Sequence, residues 1–383
     1  MLFTSYIELS KSALNNNIRF MKEKAGPGVK YSMVIKANAY GHGIEDLLPM
    51  IEECGVDHFS VFSVEEARRA LEVKREACHI MIMGFVDDDY LEWAIENDIS
   101  FYVFTPERLE KVAEVSKKTS KPARIHVELE TGMHRTGFCS DQLSWVMDVL
   151  KSNRENIVIE GLCSHLAGAE SLSNFPRIRK QIATFNKLCS HFTTSGLKPR
   201  YRHLACSAGV LNFPESAMDL ARVGISNYGF WPDNETKMLH LENGKAFNDP
   251  LKRVLSWKTK VMSVNRVKEN EYVSYGSSYI TNRDSKIATV PVGYGYGFSR
   301  TLSNLGHVLI NGKRVPVIGS VNMNMMVVDV TDLPDVKVND EVVLVGKQGD
   351  REISVSSFSD MNNSMNYELL TRLPSRIPRH QTE

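Results

Sequence analysis

The sequence lacks a long hydrophobic run, an excess of one charge and a paired cysteine motif. Its first residues have neither the basic start nor the uninterrupted apolar core of a signal peptide, and no later run is long enough to span a bilayer. The 46 basic residues equal the 46 acidic residues, so nothing in the charge balance points to nucleic acid or an anionic membrane. We therefore expect a cytoplasmic protein whose partner is a small molecule.

The cysteines also lack the spacing of a metal site or a redox pair. The six of them form no C-x-x-C pair and no zinc-type spacing, and they stand at Cys54, Cys78, Cys139, Cys163, Cys189 and Cys206. Cysteines of a cytoplasmic protein are expected to be reduced. The sequence therefore predicts no disulfide framework and no bound metal.

The chain has no fixed-period repeat, and 383 residues are too many for one small core. In its first part, apolar strand-like runs alternate with helical patterns such as residues 64–71 and 106–116. Eight such strands with helices between them predict a (β/α)8 barrel. The eight runs are residues 31–35, 58–62, 79–83, 99–104, 124–129, 157–163, 201–205 and 221–225. In a helix over residues 44–54, Pro49 predicts a late start or a bend.

The pattern changes after residue 235. Short β-rich runs follow, punctuated by Gly, Pro, Asn and Asp, at residues 256–264, 286–292, 314–318, 325–330 and 341–345. They predict a second, mainly antiparallel domain. We assign residues 10–235 to the barrel, and residues 1–9 with 236–383 to the β domain.

Lys36 stands where an apolar strand gives way to a glycine-rich turn. Four of the five residues before it are apolar or aromatic, and Gly41 and Gly43 follow. Partial desolvation of an ammonium at such a site lowers its pKa and frees the amine to act as a Schiff-base nucleophile. For an arbitrary lysine the alternative is more common: the side chain reaches the surface from the strand end.

The residues around that lysine resemble a known cofactor site. Lys-Ala-Asn-Ala-Tyr-Gly-His-Gly, at residues 36–43, resembles the pyridoxal phosphate lysine motif of the alanine racemase family. Residues 131–135, 221–225 and 273–276 resemble further motifs of that family, so the likeness covers almost the whole chain. It implies an amino acid racemase with pyridoxal 5'-phosphate as cofactor, carried by Lys36.

Racemisation requires a proton-transferring group on each face of the substrate Cα. The resemblance implies Lys36 for one face and Tyr275 for the other. In the family that tyrosine comes from the neighbouring subunit, which implies a head-to-tail homodimer. A phenol has an ordinary pKa of about 10 and needs nearby positive charge to act as a base near neutrality. Taken alone, a tyrosine in a β-rich segment is as readily one of a cross-strand aromatic pair.

The other cofactor contacts are also implied by resemblance. Arg222 would face the pyridine nitrogen, which would stay unprotonated because arginine always donates. His203 would support Arg222, and His165 would pack beside the ring. The phosphate would be held by Tyr40, Ser207 and the backbone amides of Gly224 and Ile225. Taken singly, the arginine fits a surface ion pair and each histidine fits an ordinary core group.

The substrate carboxylate needs a cation and hydrogen-bond donors. Arg135 and the backbone around Met323 match the family's positions, and Tyr294 matches a tyrosine that lines the entrance. Glu128 stands where many members carry a carbamylated lysine. We expect its carboxylate to orient Arg135 by its own negative charge.

One departure from the family bears on substrate choice. Ser375 stands where the family has a tyrosine that narrows the pocket and contacts the phosphate. The sequence thus predicts racemisation of a small amino acid, L-alanine to D-alanine first, with serine or a broad range of amino acids as the alternative. A barrel-type decarboxylase carries an acidic residue where Arg222 stands. A single-barrel pyridoxal phosphate protein without turnover lacks the second domain. Both are retained as lesser alternatives.

Overall fold

The computed structural model describes residues 4–75, 77–241, 249–355 and 368–383, which divide into two units. We call one the barrel unit, made of Ala13–Ala39 and Leu47–Lys252. We call the other the sheet unit, made of Met1–Ser12, Tyr40–Asp46 and Arg253–Glu383. Of the predicted β domain, residues 1–3, 242–248 and 356–367 lie outside the described residues.

The barrel unit contains eight parallel strands in chain order, which confirms the predicted fold class. The first strand pairs with both the second and the eighth. Between the seventh and eighth strands, the Arg222 N–H donates to the Ala205 carbonyl over 3.0 Å, so the barrel is nearly closed. The strands are Lys30–Val34, His58–Val61, His79–Ile82, Ser100–Val103, Ala123–Glu128, Ile157–Cys163, Tyr201–His203 and Leu220–Val223.

Helices between the strands complete the alternation. Polar residues start several of them: Ser63 accepts from the Glu66 N–H, and Thr105 accepts from the Arg108 N–H. The main helices are Lys11–Ala25, Ile44–Glu53, Val64–Val73, Asp88–Glu96, Pro106–Val115, Leu143–Ser152, Phe175–Thr194, Ser207–Asn212 and Asn234–Leu241. The helix with Pro49 begins at Ile44, so the predicted late start is excluded.

Most strands of the barrel are buried along nearly their whole length; in the seventh strand, Tyr201–His203, only His203 is buried. Phe59, Phe101 and Val223 have no exposed surface. Strands that are covered on both faces have continuous apolar sequences. The ends of the barrel strands could therefore be predicted from the sequence to within one or two residues. Each fully buried large side chain contributes about 1.5–3 kcal/mol to stability.

The sheet unit is built on one large sheet, antiparallel except at one edge. There the strand Ser5–Ser10 pairs in parallel with the last strand, Arg379–Thr382, and on its other side it pairs with Leu255–Lys260. The remaining strands are Ser263–Val267, Ser285–Val290, His307–Ile310, Lys313–Ile318, Met326–Asp329, Glu341–Gln348 and Arg351–Ile353. The predicted mainly antiparallel character is confirmed.

Two details differ from the sequence prediction. The single run at residues 256–264 is two strands, because Val261 donates its N–H to Asp340 O while Met262 donates to Thr289 O, so the chain changes neighbours there. Four strands were missed: Ser5–Ser10, His307–Ile310, Arg351–Ile353 and Arg379–Thr382. Each is short or pairs with a segment far away in sequence, which a local pattern does not reveal.

Candidate active site

Lys36 lies just beyond the first barrel strand, where the chain enters a left-handed turn. Residues 37–40 all have positive φ, between 51° and 55°, and none of them is glycine. This conformation brings Cβ close to the following carbonyl and costs about 1–2 kcal/mol per residue. The turn therefore requires support from the surrounding structure.

Glu66 and Arg69 provide support from the helix Val64–Val73. One carboxylate oxygen of Glu66 accepts the Asn38 N–H at 3.3 Å, and the other accepts the Phe62 N–H at 2.8 Å. Arg69 donates to the side-chain oxygen of Asn38 at 2.6 Å. Neither residue was identified from the sequence, which predicted only that both lie in a helix.

The amine of Lys36 is held in an unfavourable environment for charge. Burial lowers its pKa most, followed by the positive charge of Arg135; Glu66 and Cys206 act in the opposite direction, and Arg222 adds the smallest lowering effect. A larger share of the amine is thus neutral near pH 7 than for an exposed lysine. A neutral amine is the form that attacks carbonyl carbon and accepts protons.

Arg222, in the eighth strand, is buried, and its guanidinium donates to acceptors in and just after the sixth and seventh strands. Nη1 donates to His203 Nδ1 and, over 2.9 Å, to His203 O. Nη2 donates to Ser164 O at 2.7 Å and to Leu204 O at 3.2 Å. The four Nη protons are thus engaged, and Nε–H is the donor that has no acceptor among the residues the structure describes.

His165 follows the sixth strand and is neutral. Burial and the nearby charges of Arg222, Arg135 and Lys36 lower its pKa to about 3. Gln181 fixes its backbone, since the amide donates to His165 O at 3.0 Å and accepts from Ala167 N–H at 2.8 Å. Gln181 was missed in the sequence, where it occupies one position of a helical pattern.

The predicted phosphate ligands of the barrel unit lie together. Ser207 begins a short helix after the seventh strand, and its hydroxyl accepts the Gly224 N–H at 3.1 Å. An anion at this place would compete with Ser207 for the Gly224 proton. Ile225 starts a 3₁₀ helix, so its N–H has no acceptor within that helix and faces outward from its end. The role of these amides stays a prediction.

Glu128 and Arg135 differ in exposure. Arg135 is exposed, whereas Glu128 is buried at the end of the fifth strand. Burial raises the pKa of Glu128, while a hydrogen bond with Thr136 and the charges of Arg222 and Arg135 act in the opposite direction. The carboxylate is therefore less readily ionised than the permanent anion expected from the sequence.

In the sheet unit, the segment 320–323 brings together the loops that carry the predicted tyrosines. Ser320 Oγ donates to Tyr275 O at 2.9 Å, and Tyr294 N–H donates to Asn322 O at 3.0 Å. Tyr275 and Met323 are mostly exposed, 72% and 57%. Their outer surfaces are thus available to another molecule.

Tyr40 and Ser375 also belong to the sheet unit. Arg379 links their segments, because it donates to Ser375 O and to Gly41 O, both at 2.8 Å. Ser375 is exposed, so the position predicted to widen the pocket carries a small side chain at the surface of this unit.

The described ranges offer neither a metal site nor a membrane-spanning helix. They contain no group of three His, Cys, Asp or Glu side chains arranged to hold a metal ion. No helix within them has both the length and the apolar character needed to cross a membrane.

The chain matches known proteins over nearly its whole length. A sequence model described as alanine racemase, N-terminal domain, matches residues 9–232. A second, described as alanine racemase, C-terminal domain, matches residues 254–381. The alanine racemase of Methanococcus maripaludis is 34% identical over 378 residues, which are 98% of this chain and 97% of that protein.

Solved structures agree with these matches. An alanine racemase from Bacillus anthracis with bound L-Ala-P has a TM-score of 0.90 and 28% identity, covering 100% of this chain and 96% of the other. An alanine racemase from Bartonella henselae with covalently bound pyridoxal phosphate has a TM-score of 0.85 and 27% identity, covering 99% of this chain and 100% of the other.

Proposed function

The chain belongs to the alanine racemase family, and on that premise we propose that it interconverts L- and D-alanine with pyridoxal phosphate as its cofactor. One observation carries the proposal: the Lys36 amine, whose pKa is lowered by burial and by Arg135 and Arg222, lies near a guanidinium with one unused donor. A reactive amine and a spare N–H are the two groups that a pyridine aldehyde requires.

The residues present fit this cofactor. Lys36 Nζ would hold it covalently, and Arg222 Nε–H would meet its ring nitrogen. Ser207, Gly224 and Ile225, together with Tyr40, would hold its phosphate, and the neutral His165 would lie by the ring. When bound, the cofactor withdraws electron density from the substrate Cα so that the Cα proton can leave.

The protein's part in the reaction is to bind the substrate and move protons. Arg135 would bind the substrate carboxylate through charged hydrogen bonds. Lys36 Nζ exchanges a proton with Cα on one face, and Tyr275 Oη does so on the other. Arg222 keeps its proton, so its Nε–H would act toward a ring nitrogen as a hydrogen-bond donor and not as an acid.

The exposed position of Tyr275 supports a homodimer. At 72% exposure its side chain is free to enter the barrel of a second copy. Such head-to-tail pairing would give two equivalent sites, each with a lysine from one subunit and a tyrosine from the other. A cytoplasmic location remains a prediction from the sequence.

Ser375 favours a second candidate, a racemase that also accepts serine or larger amino acids. A serine in place of a phenol leaves space at the pocket, and hydrophobic pockets discriminate weakly when space is added. Activity with alanine and with several other L-amino acids would support this candidate, whereas activity with alanine alone would exclude it.

The central experiment is reconstitution followed by chiral analysis. The purified full-length chain, incubated with pyridoxal phosphate, should gain an absorbance band near the edge of the visible range. Borohydride should bleach the band and leave a mass label on Lys36. D-Alanine should then form from L-alanine. Release of carbon dioxide would indicate the decarboxylase alternative, and binding without turnover would indicate a cofactor-binding protein.

Variants separate the two proposed proton-transferring groups. Tyr275→Phe should bind the cofactor normally and lose racemisation by about 10²–10⁴-fold, the usual contribution of one positioned acid or base. Tyr272→Phe is a matched control, because Tyr272 is also exposed on the sheet unit, at 62%. Full activity of the Tyr275→Phe variant would show that Tyr275 is not a proton-transferring group.

A further inference from the structure

A buried chain of hydrogen bonds leads away from Arg222 through the interior of the barrel. His203 contacts Arg222 with its Nδ1 and contacts His126 with its Nε2, which lies 2.8 Å from His126 Nδ1. His126 Nε2 lies 3.1 Å from Ser100 Oγ, and Ser100 donates to Ile80 O over 3.4 Å. The chain therefore spans the eighth, seventh, fifth, fourth and third strands.

The chemistry of its first and last members fixes the direction of the chain. A guanidinium only donates, so His203 Nδ1 accepts and the proton of that ring resides on Nε2. His203 Nε2–H then donates to His126 Nδ1, which places the proton of His126 on Nε2. Ser100 Oγ accepts a hydrogen bond from His126 Nε2–H, and the Ser100 hydroxyl donates to the Ile80 carbonyl, which can only accept. Every donor in the chain thus points away from Arg222.

The environment keeps both rings neutral. His126 and His203 have no exposed surface, and their rings meet edge to face with centroids 4.8 Å apart. Burial and the charge of Arg222 lower the pKa of each well below the ordinary range. A proton added to either ring would also remove an acceptor that the chain requires.

Gly161 makes room for the two imidazoles. A Cβ built on this residue would overlap His126 Nδ1 and would lie 2.7 Å from His203 Nε2. The backbone of Gly161 does not have positive φ, so the glycine is not required by its conformation. The space beside the sixth strand is thus matched to this pair of rings.

We propose that His126 and Ser100 are positioning residues that hold His203 as its Nε2–H tautomer and so fix Arg222 with Nε–H directed at the cofactor ring nitrogen. The inference rests on the proposed function for what Arg222 meets, but its first part concerns only this chain. Without an acceptor at His126, the buried His203 Nε2–H has no hydrogen-bond partner. This costs free energy and favours rotation of the His203 ring or a change of its tautomer. Arg222 Nη1 would then lose one of the four acceptors that hold the guanidinium, the one contributed by a side chain.

The tautomers are measured directly on the full-length chain. Nitrogen NMR of protein labelled with ¹⁵N only at histidine, recorded without and with pyridoxal phosphate, should show His126 and His203 as neutral Nε2–H rings from pH 6 to 8. The signals are assigned by their loss in single histidine variants. An Nδ1–H ring or an imidazolium at either residue would overturn the proposal. This result does not depend on whether the protein binds pyridoxal phosphate.

Two variants at His126 test the positioning role. His126→Asn keeps an amide oxygen near the place of Nδ1, whereas His126→Phe keeps the ring shape without an acceptor. We expect His126→Phe to disturb the His203 nitrogen signals, to raise the dissociation constant for pyridoxal phosphate about tenfold and to lower kcat with little change in KM. His126→Asn should restore much of each property. Equal behaviour of the two variants, with His203 signals unchanged, would show a merely structural role.

Ser100→Ala provides a test in which the barrel is least disturbed. Removing one oxygen takes away the acceptor of His126 Nε2–H at the far end of the chain. We expect a change of the same kind as in His126→Phe, but smaller, in the His203 signals and in cofactor affinity. Normal signals and affinity in a stably folded Ser100→Ala protein would overturn the proposal for that residue.

Discussion

Glu66 accepts the backbone N–H of Asn38 and so fixes the left-handed turn that follows the lysine of the candidate site. The turn is costly by itself, and its neighbour in the chain is Lys36. Residues that take no part in the reaction, such as Glu66, therefore set the position of the Lys36 amine. A displacement of a reacting group by about 1 Å can lower the reaction rate about 10²-fold.

Replacing Glu66 by Ala should lower racemase activity about 10²-fold, because the turn loses its acceptor and Lys36 shifts. Glu66→Gln keeps one acceptor oxygen, so it should lose less. It should also lower the pH at which Lys36 becomes active, since Glu66 raises the pKa of that amine. Initial rates against pH measure both effects. Glu65→Ala, an exposed change in the same helix, is the control and should be neutral.

Acid should destabilise the protein through its buried histidines. Burial lowers the pKa of His58 and His165 to about 3, and lowers the pKa of His126 and His203 well below the ordinary range. Each folded-state pKa is depressed, so the stability each group contributes is complete above about pH 6.5 and is lost as pH falls toward the folded value. At pH 5, His58 and His165 should each lower the free energy of unfolding by about 2 kcal/mol.

His58→Asn isolates one of these groups. His58 Nδ1 lies 2.8 Å from Ser32 Oγ, and an asparagine oxygen can occupy that place. Chemical denaturation between pH 5 and 7 should show a smaller loss of unfolding free energy for the variant. The slope of unfolding free energy against pH should correspond to about one fewer proton bound on unfolding. His134→Asn is the control, because the His134 side chain is 82% exposed. Identical pH slopes for His58→Asn and wild type would contradict the prediction.

Glu128→Gln should stabilise the protein at neutral and alkaline pH. Burial raises the folded-state pKa of Glu128, so the stability of the protonated form is present below the unfolded-state pKa of about 4.3 and is lost as pH rises through the folded value. Glutamine does not ionise and avoids this loss. Melting temperatures at pH 4 and pH 8 should differ less in the variant, while exposed Glu92→Gln should follow wild type.

The same variant addresses the role expected of Glu128 from the sequence. If its negative charge orients Arg135, Glu128→Gln should raise KM for alanine even as the protein becomes more stable. Unchanged KM together with higher stability would show that the carboxylate is not needed as an anion.

Gly161→Ala should cost about 1–3 kcal/mol of unfolding free energy, the usual penalty for overpacking. The added methyl group overlaps two rings that hydrogen bonds hold in place. The cost should be smaller in a His126→Ala background, where one ring is gone, so a double-mutant cycle should show coupling. Additive effects would contradict the packing relation.

The sequence located the barrel strands and the groups at their ends because both depend on short segments. Lys36 and Arg222 lie in local motifs whose neighbours are set by the strand itself. The residues that position them were missed for a physical reason. Glu66 is 28 residues from Asn38, and His126 is 77 residues from His203, so only the folded barrel brings each pair together.

His126 illustrates what local pattern could and could not indicate. It alternates with Glu128 along the fifth strand, so both share the inner face of that strand. Alternation reveals a polar face inside the barrel, but it does not reveal which strand supplies the partner. The Ser256 region shows the opposite error, since one continuous β pattern concealed a change of neighbouring strand at Val261.

The strand Ser5–Ser10 has a consequence for biosynthesis. It is synthesised before the barrel strands, but its two neighbours in the sheet are Leu255–Lys260 and Arg379–Thr382, which both follow the barrel in the chain. Domains generally fold as units during translation, so the eight barrel strands are all available long before this segment finds a partner. We expect the strand Ser5–Ser10 to stay unpaired while the barrel is synthesised, and the sheet to be completed only after Arg379–Thr382 has been made.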